Sequence, residues 1–258
     1  MLCSVDLNVV GVPVRVVDLG SRPAVLSSVE SLVKKFHSLQ PWRDMALIHF
    51  SRDIWSRAVA LNTAARSYRP TIEYFIFTDA DMIFPPEWIA KILPELRPDR
   101  VLLTRTRDLS AEVMERFTPK DLISPTRLWT LSTPHSVMGQ GGAMVVPSAW
   151  FQKAGGFDEF YQTWGAEEND LVFRAQWDGL DVRWATETFV CHQWHPRDWA
   201  TPEDWERINA NRCYLAARIR EHGPITRNAA GYMLPMANVR PEEALARILQ
   251  AMETMPRP

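Results

Sequence analysis

Along the first hundred positions the spacing of apolar residues alternates between two periods. Pro13–Leu19 (PVRVVDL) is β-branched and apolar and stops at Gly20-Ser21, which predicts a buried strand. Val25, Val29, Leu32, Val33 and Phe36 then recur at helical spacing. Ala46–Phe50 reads as a short strand, and Ile54, Ala58, Leu61 and Ala65 form a second helical stripe. The β-rich run Thr71–Thr78 ends in Asp79-Ala-Asp81. Pro86 stands near the start of a helix with Trp88, Ile89, Ile92, Leu93 and Leu96 on its apolar face, and Val101–Thr104 is a fourth strand. Strands and helices alternating in this way predict an α/β layer fold with a mostly parallel sheet.

The second half is less regular. Residues 118–141 are rich in Pro, Thr, Ser and Gly, which predicts a long loop. Gly142–Val146 reads as a strand, with a helix near Ser148–Ala154. Trp205, Ile208, Arg212, Leu215 and Ile219 place a helix over about 202–221. Pro241 opens a last one, with Ala244, Leu245, Ile248, Leu249 and Met252 on one face. No repeat or flexible linker interrupts the chain, so a single domain is expected over residues 1–258.

Composition narrows the class. The chain is 46% hydrophobic and 23% charged, which excludes disordered and fibrous proteins. Its 29 basic and 31 acidic residues leave a charge of −2, against nucleic-acid binding. No apolar run approaches the roughly 20 residues of a membrane span. The opening MLCSVDLNVV lacks the pattern of a signal peptide. Cys3, Cys191 and Cys213 show no disulfide-framework spacing, so reduced thiols and a cytoplasmic location are expected. Six of the eleven tryptophans (164, 177, 184, 194, 199 and 205) crowd one stretch, either as core or as platforms for sugar rings.

Three groups carry candidate chemistry. Asp79-Ala-Asp81 stands where an apolar strand ends, the usual place for a ligand in an open α/β sheet. Two carboxylates there are either bridged by Mg²⁺ or Mn²⁺ or simply solvated. His192 and His195, in CHQWHP, either complete a site begun by Asp81, leaning it towards Mn²⁺, or are partly buried among tryptophans. A thiolate would favour a softer metal, so Cys191 reads as core. In WGAEEND, a helix starting near Glu167 would favour ionised acids in its first turn. One of them could serve as a general base, or the segment is only an acidic helix start. Helical geometry puts 167 and 170 on one face and 168 on another.

Taken in order, these segments resemble glycosyltransferases of the GT-A fold, closest to the β-1,4-galactosyltransferases and the bacterial chondroitin-polymerase-like enzymes of family 2. SRAVALN at 56–62 resembles the N-R-A-K-x-L-N segment of that group, and FIFTDADMIFPP its metal-binding D-x-D strand. GGFDEFYQTWGAEENDLVFR resembles its most specific signature, and CHQWHPRD its second metal-ligand segment. The similarity covers roughly residues 13–200.

The resemblance implies roles for named residues. Asp81 and His192 or His195 would bind Mn²⁺ or Mg²⁺, and Asp18, Arg57 and Asp79 would meet the nucleotide-sugar. Glu168 would be the base, standing where relatives have Asp. Trp164, Glu167 and Gly142 would face the acceptor, and Gly155 and Gly156 would let the loop before Trp164 move. It further implies a mostly parallel mixed sheet flanked by helices. The donor-binding half would take about 1–110, the acceptor and catalytic half about 111–200, and C-terminal helices about 201–258. Only about a dozen residues precede the first recognised strand, so the usual first strand–helix unit is expected to be missing or replaced by a short hairpin. The activity implied is inverting transfer from a UDP-sugar to an acceptor hydroxyl. A metal-dependent phosphoester hydrolase and a non-catalytic nucleotide- or carbohydrate-binding protein are the rival expectations.

Overall fold

The computed structural model describes residues 12–39, 44–135, 142–196, 201–228 and 241–253. The expected hairpin at the start of the chain, and Trp199 of the tryptophan cluster, lie outside these residues. In chain order the elements are β1 (Val14–Leu19), α1 (Pro23–Leu39), β2 (Met45–Phe50), α2 (Arg57–Arg66), β3 (Tyr74–Thr78), β4 (Met82–Ile83) and α3 (Trp88–Ile92). There follow β5 (Arg100–Leu109), α4 (Ala111–Arg116), α5 (Pro125–Leu131), β6 (Ser132–Pro134), β7 (Ala143–Pro147) and α6 (Ser148–Lys153). The last are α7 (Glu167–Trp177), β8 (Asp181–His192), α8 (Pro202–Glu221) and α9 (Pro241–Glu253). None of the described helices is long and apolar enough to cross a membrane.

The α/β architecture is as expected, but parallel pairing is less frequent than the alternation predicts. β1 and β2 pair in parallel as a two-stranded sheet. The larger sheet runs β3-β7-β5-β8-β4, with β6 on β5, and among the described residues only its β5–β8 pair is parallel. β7 enters between β3 and β5 antiparallel to both. The regular strand–helix alternation stops after β5, and with it the crossover connections that parallel neighbours need.

Residues 118–135 are not the structureless loop their composition predicts. Ser124 caps α5 by accepting a hydrogen bond from the Arg127 amide, Pro125 takes its first turn, and Leu128 is fully buried beneath it. β8 and the short β4 have no counterpart among the predicted strands. A register shift between Leu103 and Arg105 interrupts the β5–β8 ladder, so β8 loses the strict inside–outside alternation that betrays a strand.

The core lies between this sheet and the helices packed on it. Phe75 and Phe77 of β3, Val101 and Leu103 of β5 and Met144 and Val146 of β7 meet Leu171 and Val172 of α7. Each such side chain contributes about 1.5–3 kcal/mol on full burial. Ala58 and Ala65 of α2 join the same cluster, which brings the start of α2 close to the end of β3.

Candidate active site

Two charged clusters meet at the Asp79-Ala-Asp81 turn, where β3 ends. The first surrounds Arg57. Ser56 caps α2, its hydroxyl accepting from the Val59 amide and donating to the Tyr161 carbonyl at 2.8 Å. The Arg57 amide donates to the Thr163 carbonyl at 3.0 Å and the Thr163 amide to the Trp55 carbonyl at 2.7 Å. These bonds tie the loop that carries Trp164 to the start of α2. The Arg57 guanidinium then reaches Asp79 Oδ1 at 2.6 Å, Glu167 Oε1 at 3.3 Å and Glu168 Oε1.

Burial alone would weaken the charge on Arg57, but Asp79, Glu168 and Glu167 outweigh it and hold its pKa above the ordinary value. The opposite holds for the glutamates. Burial, reinforced by the charge of Glu168, pushes Glu167 up to about 8 despite Arg57. Burial also raises Glu168. Glu167 is 1% exposed, and its Oε2 has no hydrogen-bond partner among the described residues. Positions 167 and 168 therefore share one cation. Asp170 is set apart, fully buried between Arg174 and Arg218.

The second cluster is a trio. His192 ends β8, and His195 follows three residues on. Asp81 Oδ2 lies 3.2 Å from His192 Nε2 and 3.3 Å from His195 Nε2. One ligand atom from each residue falls within 4.8 Å of the others. Asp81 Oδ1 is buried with no hydrogen-bond partner among the described residues. Burial would raise Asp81, but its hydrogen bond with His192 and the two nearby imidazoles hold it low, and the same bond raises His192. A carboxylate held ionised, an oxygen left unpaired and two imidazole nitrogens fit a divalent cation of the Mn²⁺ type. Cys191 is fully buried and its thiol is pushed up to about 11 by that burial, as a core residue should be.

The remaining expected residues lie outside these clusters. Asp18, near the end of β1, is 7% exposed and accepts from the Ser21 amide at 3.3 Å and from His49 Nδ1 at 2.7 Å. Those bonds more than offset burial and keep it below the ordinary aspartate range. Trp164 is half-buried, edge-on to Trp205 at 6.3 Å. Gly142 is buried, its carbonyl accepting from Thr78 Oγ1 at 2.8 Å, and a Cβ there would come within 2.1 Å of Thr106 Oγ1.

Gly155 and Gly156 are also tightly placed. A Cβ at 155 would meet the Arg227 carbonyl oxygen at 2.2 Å, and one at 156 would meet Asn62 Oδ1 at 2.5 Å. The described geometry gives these glycines a close-packing role beside the loop motion expected of them. The tryptophans divide: Trp177 and Trp184 pack against the core, whereas Trp194 and Trp205 are about half exposed.

Sequence reasoning passed over Asp108 and His135. Asp108, on β5, is 3.2 Å from His192 Nδ1 and 2.8 Å from His135 Nδ1. It lies beyond Thr104, where the apolar run of the predicted strand ends, and His135 falls in the stretch read as loop. A cavity of about 420 Å³ opens here, lined by Asp108, Ser110, Thr133, His192, Trp194 and His195 among others.

Residues 134–193, which hold β7, the Trp164 loop, α7 and β8, match the family model of the N-terminal domain of galactosyltransferase. No curated protein sequence matches the chain. In structure the chain is similar to GalNAc-T7 crystallised with UDP, GalNAc and Mn²⁺, with a TM-score of 0.52 and 12% identity over 95% of this chain and 49% of that one. It is similar to TarS 1–349 of S. aureus, with a TM-score of 0.54 and 16% identity over 96% of this chain and 65% of that one. A looser match is the catalytic domain of Drosophila β1,4-galactosyltransferase 7 in complex with xylobiose, at a TM-score of 0.42 and 16% identity over 89% and 85% of the two chains. The chain thus spans about half the length of GalNAc-T7. At these identities the likeness is one of fold, and the fold of this chain is the GT-A fold of glycosyltransferases.

Proposed function

We propose that the chain is an inverting, metal-dependent glycosyltransferase that moves a sugar from a UDP-sugar to the hydroxyl of a carbohydrate acceptor. The observation that carries this reading is the junction at Asp79-Ala-Asp81. One acid of the turn joins a carboxylate–imidazole trio, and the other joins a buried pair of glutamates. A donor diphosphate and an attacking hydroxyl need these two environments side by side. The UDP and Mn²⁺ in GalNAc-T7, a protein of the same fold, support the donor class and the metal.

Asp81, His192 and His195 would hold the cation, Mn²⁺ or Mg²⁺. When bound, it supplies Lewis-acid stabilisation of the negative charge that grows on the departing diphosphate. Asp79, with Arg57 fixed against it, would orient the donor, and Asp18 would meet the nucleotide at the end of β1. Glu168 takes the acceptor proton. Burial raises its pKa towards the working pH, which strengthens it as a base, while Arg57 keeps its carboxylate aimed. The unpaired Oε2 of Glu167 would share a hydrogen bond with the acceptor, and Trp164 and Gly142 would face the acceptor as well. The donor side, the acceptor side and the C-terminal helices act as one domain. Two buried thiols, Cys191 and Cys213, accord with work in the cytoplasm.

The test is turnover of a panel of UDP-sugars with Mn²⁺, with and without sugar acceptors. Acceptor-dependent product of inverted configuration is expected, and Glu168→Gln should lower turnover about 10²–10⁴-fold with little change in donor binding. Retained configuration would remove the direct displacement. Release of UDP without need for an acceptor would favour a hydrolase.

A further inference from the structure

The two histidines beside Asp81 present the same edge to it. Both have Nε2 near Asp81 Oδ2, and both have Nδ1 engaged elsewhere. For His195 the partner of Nδ1 is the neighbouring Pro196 carbonyl at 3.0 Å. For His192 it is a side chain from another strand, Asp108, at 3.2 Å. This pairing is built into the sheet, because Asp108 of β5 and His192 of β8 are direct register partners.

Asp108 is held in turn. His135 Nδ1 lies 2.8 Å from both of its oxygens, and the His135 amide donates to the Thr106 carbonyl at 3.1 Å. Asp108 is therefore pinned from its own sheet by the residue just past β6. An ionised carboxylate can only accept, so a hydrogen bond from His192 to Asp108 requires the proton on Nδ1. When a cation displaces the proton that Nε2 shares with Asp81, the lone pair of the ring lies on Nε2, on the side of Asp81.

We infer that Asp108 is a positioning residue for the cation site: it fixes the ring orientation and the tautomer of His192, and His135 holds it in place. This rests on the reading that Asp81, His192 and His195 bind a divalent cation. A carboxylate behind a ligating imidazole both orients the ring and raises its basicity, and its loss typically costs 10–100-fold in metal affinity.

The experiment is Mn²⁺ titration of the purified chain without donor, by calorimetry or by the electron paramagnetic resonance of free Mn²⁺, together with melting curves in a chelator. Asp108→Ala should weaken Mn²⁺ binding about 10–100-fold. Asp108→Asn still offers one acceptor oxygen and should recover most of that loss. Asp81→Ala separates the two levels of the reading. If Asp81→Ala binds Mn²⁺ as the parent does, the cation site itself is wrong. If Asp81→Ala loses Mn²⁺ but Asp108→Ala keeps parental affinity, only the role of Asp108 is wrong. Where Asp108→Ala fails to fold, the ¹⁵N signals of His192 in metal-free Asp81→Ala, where that carboxylate no longer competes for the ring proton, decide. At a pH where the ring is neutral they should show the Nδ1–H tautomer, and the Nε2–H tautomer would overturn the inference.

Discussion

One guanidinium faces three carboxylates at the centre of this site, and a single positive charge cannot neutralise them all. Asp79 and Glu168 make the closest contacts with Arg57, and Glu167, deeper and at 3.3 Å, keeps one oxygen unpaired. Glu167 is accordingly the group that gives way, with its pKa raised to about 8 by burial and by Glu168. The sign of its pH effect follows. Between about pH 4.5 and 8 the folded chain holds a proton here that the unfolded chain has released, so this group makes stability fall as pH rises. Glu167→Gln should remove that slope. Melting curves of parent and variant at several pH values should show the variant gaining on the parent from about pH 5 to about pH 8, and a constant difference would mean that Glu167 is ionised throughout. The sequence made the acids visible, but helical geometry grouped 167 with 170 and set 168 apart. The structure instead joins 167 with 168 on Arg57 and places 170 between Arg174 and Arg218. The sequence did not show 167 and 168 sharing Arg57, because that contact depends on how α2 and α7 meet.

Between helices α6 and α7 runs the segment with the most specific sequence signature, and its shape is set from outside by α2. Asn62 donates to the Phe157 carbonyl at 2.9 Å and accepts from the Phe157 amide at 2.9 Å, closing the backbone around Gly156. Gly156 has φ +79°, and any Cβ would strike Asn62 Oδ1 at 2.5 Å. Gly156→Ala should cost about 1–3 kcal/mol, from the left-handed backbone and the clash together. Part of that cost should vanish when Asn62→Ala has already emptied the space. A double-mutant cycle by urea unfolding measures the coupling, and strict additivity would show that the clash is relieved elsewhere at no cost. The elements themselves were legible where apolar residues kept one period. The stripe Ile54, Ala58, Leu61, Ala65 located α2, though the helix begins only at Arg57 after its Ser56 cap. β8 was not legible, since the irregularity opposite Leu103–Arg105 breaks its period of two. The site suffers from this directly, because the end of β8 delivers His192.

At the scale of the whole molecule, sequence periodicity established layers but not pairing, since it says which residues are buried and not which strand lies alongside. What joins α7 to α8 is a set of buried charges that no periodicity would reveal. Asp170 of α7 binds Arg174 Nε at 2.7 Å and Arg218 Nε of α8 at 2.5 Å, and all three side chains are fully buried. Burial would raise Asp170, but the two guanidinium groups more than compensate and hold it below the ordinary aspartate value of 3.8. The contribution of this carboxylate to stability is thus complete above about pH 4 and is lost as pH falls through its lower folded value. Asp170→Asn would leave two buried guanidinium groups without a counter-charge, and removing one partner of a buried ion pair costs about 3–5 kcal/mol. Urea unfolding at neutral pH should show a loss of that size, shrinking as the pH is lowered into the range where the parent carboxyl itself takes a proton. A loss below about 1 kcal/mol, or one that does not depend on acid, would mean that water or other groups replace Asp170 and that α8 is held chiefly by apolar packing. Arg218→Met probes the same joint from the other side. It removes one buried charge while leaving the Asp170–Arg174 pair intact, so it should cost less than Asp170→Asn.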